Sequence, residues 1–181
     1  MRLLTAAFLA LAALPALAAE LEIPEGGYVI SDDISLLPQA AQDQRAALLK
    51  AAASGDMDQL AAIVAKQSRP PIVSFGEPED PIAYLKQQSG DGKGIEVLAV
   101  LANLLSAPYA AMDGGDGNPV YVWPYIAAMD DLRTLTPDQL VDGYRILGYR
   151  GFEDQREIGG WIAWRVYITP DGALDAFVQG D

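Results

Sequence analysis

Carboxyl groups are the side chains of this sequence best suited to acid–base chemistry. The chain has no histidine and no cysteine, which excludes imidazole bases, thiolate nucleophiles and His- or Cys-ligated metals. Glu77, Glu79 and Asp80 stand together in the proline-rich stretch SRPPIVSFGEPEDP. A glycosidase needs two carboxyls roughly 5–9 Å apart, one of them with a raised pKa. These three residues are therefore the candidate acid and base of a hydrolase, which is our alternative interpretation, and we expect no cofactor.

The glycine-rich stretch DGGDGN offers a second group of oxygen ligands, namely Asp113, Asp116 and Asn118. Calcium accepts such oxygens, but an EF-hand spaces them at alternate positions and ends in a bidentate glutamate. Neither feature is present. The sequence favours a flexible acidic turn here, and we expect no metal site.

The stretch SGDGKGIE places glycines and Lys93 before a predicted helix, as a phosphate-binding loop does. That loop requires G-x-x-x-x-G-K-[ST], whereas Gln87 stands at the first glycine position and Gly94 at the hydroxyl position. We therefore predict a flexible turn at this point.

Aromatic residues occupy every second position in VYVWPY, namely Tyr121, Trp123 and Tyr125. Flat aromatic side chains form sugar-binding surfaces, but they also contribute most to the burial of a core. A domain of this size needs large side chains in its interior, so we assign these three to the core.

The closing stretch GGWIAWRVYITPDGALDAFVQGD predicts an antiparallel hairpin. Thr169 to Gly172 reads as a type I turn followed by a left-handed glycine in a three-residue loop with a G1 bulge. This register gives one face that is apolar throughout, and a one-residue slip would split that face. The expected pairs are Ile168 with Leu174, Val166 with Ala176, and Trp164 with Val178.

The second face of that hairpin holds the candidate binding residues Trp161, Arg165, Tyr167 and Phe177. We expect Arg165 to lie across from Phe177, where a guanidinium over a ring contributes about 0.5–1 kcal/mol. A solvated face with cross-strand pairs has the same composition. The binding interpretation requires the aromatic rings of this face to be exposed together.

The elements that position these groups are mainly helices. Helices are predicted from Pro38 to Ser54, from Met57 with Asp56 as its cap, and from Pro81 to Gln88 with Asp80 as its cap. A nearly all-apolar helix at about 95–106 is expected at the centre of the core. A further helix follows the cap Thr136 and stops at Gly148, a short one spans about 152–158, and strands are expected at 28–30 and 72–75.

The N-terminus has the pattern of a secretory signal peptide. Arg2 precedes an apolar run from Leu3 to Leu14, and Ala16-Leu17-Ala18 fits the A-x-A cleavage rule. The run is too short for a ~20-residue membrane helix. We therefore predict residues 1–18 as a signal peptide, residues 19–181 as a single domain, and a periplasmic or secreted protein without membrane insertion after cleavage.

The formal net charge of −13 limits the partners of the protein. Such a charge repels nucleic acid and leaves basic or neutral partners and small cationic ligands. It also keeps an exported protein soluble.

The combination of YVWPYIAAM, LTPDQLVDGYRIL and the closing stretch resembles a family of small exported bacterial proteins of unknown function. The likeness covers about 95–181, and its most specific part is R-V-x-I-x-P-D-G followed by F-V-x-G-D. The resemblance implies export and a single domain that ends in a hairpin. It assigns no activity, cofactor or catalytic residue.

The fold class predicted from these patterns is α+β, a mainly helical domain with a C-terminal antiparallel hairpin. The leading functional prediction is an exported cell-envelope protein that binds a ligand or partner without catalysis. The alternative is a carboxylate-dependent hydrolase acting on an envelope polymer.

Overall fold

The computed structural model describes residues 21–76, 78–115 and 117–180, so the predicted signal peptide at 1–18 lies outside the described residues. The described chain is an α+β fold, as predicted. The α-helices are α1 (Gln39–Ser54), α2 (Met57–Val64), α3 (Pro81–Gln88), α4 (Ile95–Leu105) and α5 (Pro137–Ile158). The strands are β1 (Tyr28–Ser31), β2 (Tyr109–Asp113), β3 (Pro119–Trp123), β4 (Arg165–Ile168) and β5 (Leu174–Val178).

Helices α2, α3 and α5 begin where the sequence predicts because their N-terminal caps form as expected. The Asp56 carboxylate accepts the N–H of Asp58 at 2.9 Å, and that of Asp80 accepts the N–H of Ile82 at 2.9 Å. Thr136 forms a capping box with Gln139 at the start of α5. No helix in the described part of the chain combines the length and hydropathy needed to cross a membrane.

Helix α5 joins the two helices that the sequence predicts on either side of Gly148. Gly148 has φ 69° and ψ 171°, outside the helical region, so the axis bends there. The bend brings Phe152 of the second segment against Gly143 of the first. Phe152 is fully buried, with its ring 5.5 Å from the ring of Tyr144 and 6.3 Å from that of Trp161.

Helix α4 lies in the core, as its composition predicts. Its buried residues are Val97, Leu98, Leu101, Leu104 and Leu105. Helix α1 packs along it, and the Arg45 guanidinium donates through Nη2 to the carbonyl of Leu105 at 2.6 Å. This bond satisfies one of the carbonyls left free at the end of α4.

The strands form one antiparallel sheet in the order β1-β2-β3-β4-β5. The predicted hairpin is therefore two strands of a larger sheet. Helices α1 and α4 contact β4, whose Val166 and Ile168 are fully buried. Because side chains alternate across a strand, Tyr167 lies on the opposite face.

The hairpin forms around Pro170 to Gly172, but its predicted register holds only next to the turn. Ile168 pairs with Leu174 as expected, and Gly172 is left-handed at φ 82°. An additional bulge then shifts the pairing by one residue. The predicted pairs of Val166 with Ala176, of Trp164 with Val178 and of Arg165 with Phe177 are wrong; the observed partners are Val166–Phe177, Tyr167–Ala176 and Arg165–Val178.

The bulge lies where a residue from outside the hairpin bonds to β5. Asp175 is the extra residue, and its carbonyl accepts the N–H of Ile72 at 2.9 Å, while the N–H of Phe177 donates to the carbonyl of Ile72 at 2.8 Å. Ile72 thus forms a single parallel bridge beside β5. The strand predicted at 72–75 is reduced to this bridge.

Candidate functional site

A groove opens at the end of the sheet where two turns meet, and we call it the turn-end groove. Its volume is about 580 Å³. It is lined by Arg69, Met112, Asp113, Gly114, Asn118, Pro119, Val120, Tyr167, Thr169, Pro170, Asp171 and Asp175. The groove therefore combines the β2–β3 turn, the β4–β5 turn and the segment before Ile72.

The floor of the groove is the face of the sheet opposite to that of Val166 and Ile168. Met112 pairs with Val120, and Tyr167 pairs with Val122. Val120 and Val122 are two residues apart in β3, so all four side chains lie on the same face of the sheet. Met112, Val120 and Tyr167 are half-buried, which leaves part of each side chain open to the groove. The floor is apolar and carries one aromatic ring.

The β2–β3 turn forms the first wall. The Asp113 carboxylate accepts the N–H of Gly115 at 2.9 Å and that of Gly117 at 3.2 Å. The N–H of Gly114 donates to the carbonyl of Asn118 at 2.8 Å. These bonds hold the Asp113 carboxylate at the edge of the turn.

The β4–β5 turn forms the opposite wall. The Thr169 N–H donates to the carbonyl of Ala173 at 3.0 Å, and the Thr169 hydroxyl donates to the Asp171 carboxylate. That hydroxyl lowers the pKa of Asp171, with a smaller contribution from the charge of Arg69. Asp171 is exposed and remains ionised at neutral pH.

The segment that carries Arg69 is tied to the hairpin by side chains. The Gln67 amide accepts the N–H of Leu174 at 2.8 Å and donates to its carbonyl at 3.2 Å. The Arg69 guanidinium pairs with the Asp175 carboxylate at the rim, and 68% of the Arg69 side chain is exposed. Because the Arg69 side chain is mostly exposed, this pair contributes only ~0–1 kcal/mol to stability.

The four predicted binding residues do not share one exposed face. Trp161 is 7% exposed and donates from its ring nitrogen to the carbonyl of Trp164 at 3.0 Å. Phe177 is fully buried, with its ring 4.7 Å from that of Trp164. Arg165 is half-buried, and its buried Nη1 has no hydrogen-bond partner among the described residues. Tyr167 alone of the four lines the turn-end groove.

The aromatic residues of β3 and the following turn lie in the core, as predicted. Tyr121 and Tyr125 are 4% and 3% exposed, and Trp123 is fully buried. Burial, followed by the neighbouring charge of Asp142, raises the pKa of Tyr125. Their rings offer no open platform for a sugar.

The two described carboxylates of the hydrolase interpretation lie outside the turn-end groove. Asp80 is exposed and occupied as the cap of α3, and Glu79 is exposed. Glu77 lies outside the described residues. Glu79 and Asp80 are not among the residues that line the turn-end groove.

Two of the three oxygen ligands considered for calcium are described by the structure. Asp113 and Asn118 line the turn-end groove, and Asp116 lies outside the described residues. Within the ranges that the structure describes, no three acidic side chains come close enough to hold a metal ion. The two described ligands thus belong to the wall of a groove.

In the SGDGKGIE stretch, a carboxylate of the stretch itself bonds to the main-chain N–H groups. The Asp91 carboxylate accepts the N–H groups of Lys93 at 2.6 Å, Gly94 at 2.9 Å and Glu96 at 2.9 Å. These bonds, that from Lys93 first, lower the pKa of Asp91 to about 2. The main-chain donors that would cradle a phosphate are therefore occupied, which agrees with the mismatch in the motif.

Of the residues that line the groove, the sequence analysis proposed Tyr167 for binding but did not propose Arg69, Asp171 or Asp175. Asp171 was recognised as a turn residue only, and nothing in the sequence places Arg69 beside a hairpin 106 residues further along. The paired turns PDG and DGGDGN were the available signal, since turns at one end of a sheet lie close together. No protein-family model, no curated protein and no solved structure matches the chain.

Proposed function

We propose that the protein is an exported, non-catalytic binding protein of the cell envelope, and that its binding site is the turn-end groove. The observation that carries this proposal is the groove itself. Its volume of about 580 Å³ lies within the ~300–1,000 Å³ usual for ligand sites. Its apolar floor offers hydrophobic contact, and the charged and polar groups of its walls offer partners that orient a ligand.

The charge state of the carboxyl groups supports binding rather than acid–base catalysis. Wherever the pKa of a described carboxyl is displaced, the displacement is downward, for Asp33, Asp91, Asp131, Asp138, Glu153 and Asp171. A glycosidase acid needs its pKa raised by burial. These groups serve as fixed negative charges.

Export to the periplasm or beyond is part of the proposal and is supported by the sequence of the first 18 residues. The likeness of 95–181 to small exported bacterial proteins agrees with it. The net charge of −13 supports a neutral or cationic ligand or partner and disfavours nucleic acid.

The test is a fragment screen followed by ¹H–¹⁵N correlation spectra of the purified protein. Fragments should perturb the amide signals of Met112, Val120 and Tyr167 in a saturable way. Tyr167→Ala should weaken these hits, whereas Tyr149→Ala should not, because Tyr149 is 69% exposed on α5 and does not line the groove. Hits that all map elsewhere, or that survive Tyr167→Ala unchanged, would contradict the proposal.

A further inference from the structure

The negative charges of the turn-end groove lie at its two ends. Asp113 ends β2, whereas Asp171 lies in the turn between β4 and β5 and Asp175 lies in β5. Strands are ~4.8 Å apart, so two to three spacings separate these groups by roughly 10–14 Å. A single ion cannot contact both ends, in agreement with the finding that no three acidic groups in the described ranges form a metal site.

The surface between the two ends is apolar. Met112 and Val120 lie next to Asp113 in the sheet, and Tyr167 lies between them and Asp175. Methylene groups pack on such a surface, and an aromatic ring also attracts a cation by ~0.5–1 kcal/mol where exposed. The groove thus has a negative charge at each end and an apolar surface with one aromatic ring between them.

Arg69 already shows that a cation is accepted at one end. Its guanidinium pairs with Asp175, and its charge acts on Asp171 as well. The side chain is mostly exposed at the rim. It leaves Asp113 at the other end without a basic neighbour among the residues that line the groove.

We propose that the turn-end groove binds linear aliphatic diamines and polyamines, with one ammonium group at Asp113, one at Asp171, and the methylene chain on Met112, Val120 and Tyr167. This inference rests on the proposed function and specifies its ligand. Arg69 competes with the second ammonium group and so limits the affinity.

Calorimetric titration of the purified protein at about 0.15 M salt tests the ligand class, because diffuse attraction is screened there beyond ~8 Å. The probes are 1,8-diaminooctane, spermidine, octylamine, 1,8-octanediol and suberate. The two amines with separated charges should bind about three- to fivefold more tightly than octylamine, the factor expected for one additional exposed charge contact. The diol and the dicarboxylate should bind more weakly than octylamine.

Two variants with opposite expected effects separate a site from general attraction to an acidic protein. Asp113→Asn keeps an oxygen acceptor for the turn and should reduce diaminooctane affinity about three- to fivefold, to that of octylamine. Arg69→Ala should increase it by a similar factor. Arg150→Ala makes the same change in net charge at an exposed position on α5 and should leave the affinity unchanged.

Equal gains from Arg69→Ala and Arg150→Ala would show diffuse attraction and overturn the inference. Diol or suberate binding as tight as diamine binding would also overturn it, while the binding function itself would stand if Tyr167→Ala weakened that binding. If neither these probes nor any fragment perturbed the groove, the inference and the proposed function would fail together.

Discussion

Replacement of Gly143 by alanine tests the packing of the bent helix α5. An ideal Cβ at position 143 would lie 2.0 Å from Cε1 and 2.1 Å from Cζ of Phe152. Carbon atoms in contact prefer ~3.5–4.0 Å, so the ring would have to retreat by about 1.5 Å or more. Phe152 is fully buried between Tyr144 and Trp161, which leaves little room for that movement.

The expected magnitude follows from two opposing effects. Alanine is favoured over glycine within a helix by ~0.5–1 kcal/mol. Overpacking of a dense core costs ~1–3 kcal/mol, and complete expulsion of a phenylalanine ring costs ~3–5 kcal/mol. We expect Gly143→Ala to lower the free energy of unfolding by about 2–4 kcal/mol, and hence Tm by about 5–15 °C for a domain of this size.

Thermal and urea unfolding followed by circular dichroism measure this change, and Gly151→Ala is the matched control. A Cβ at position 151 would lie 3.4 Å from Cβ of Leu147, an ordinary contact, so this variant should be neutral or slightly stabilised. Phe152→Leu should cost less in the Gly143→Ala background than in the wild type, because the smaller side chain relieves the clash. A Gly143→Ala protein as stable as the wild type would refute the packing described for α5.

Three other expectations concern pH, a buried amide and export. The pKa of Asp91 is about 2 in the fold and 3.8 as a free side chain. The stability that this carboxylate contributes is therefore complete above about pH 4 and is lost as the pH falls towards 2. Asp91→Asn should flatten this part of the pH dependence of urea unfolding. Gln155→Ala should cost about 1–3 kcal/mol in the same assay, because the amide oxygen of Gln155 accepts the N–H groups of Ile162 at 2.7 Å and Ala163 at 3.1 Å. N-terminal sequencing of the protein secreted by its host should show cleavage after Ala18, and an uncleaved N-terminus would contradict the predicted signal peptide.

Helix positions could be predicted from the sequence because their determinants are local. Asp56, Asp80 and Thr136 act on N–H groups within three residues, and the left-handed Gly55 ends α1. The hairpin turn was predicted for the same reason. Each of these features depends on a few neighbouring side chains.

The sheet and the site could not be predicted in the same way because they depend on distant residues. The Asp175 bulge forms where Ile72 binds β5, and no pattern within the hairpin reveals that partner. The bulge moves Phe177 to the face of Val166 and so removes it from the expected binding surface. The turn-end groove likewise requires Asp113, Arg69 and Asp171 from three separate stretches.

Strand β2 was missed because Tyr109–Asp113 follows α4 almost directly in one apolar run. Alanine at two of its positions gives no strand preference. The alternation of valine and aromatic residues in β3 was visible, but its partner β4 is distant in the sequence, with helix α5 between the two strands.

The bridge at Ile72 also occupies main-chain groups at one edge of the sheet. An edge strand with unpaired main-chain groups can pair with an extended segment of another chain, and such exposed edges promote aggregation. At β5 the carbonyl of Asp175 and the N–H of Phe177 are already bonded to Ile72, and the bulge interrupts the regular spacing of the remaining groups. The bridge and the bulge thereby protect this edge of the sheet against the addition of a strand from another molecule.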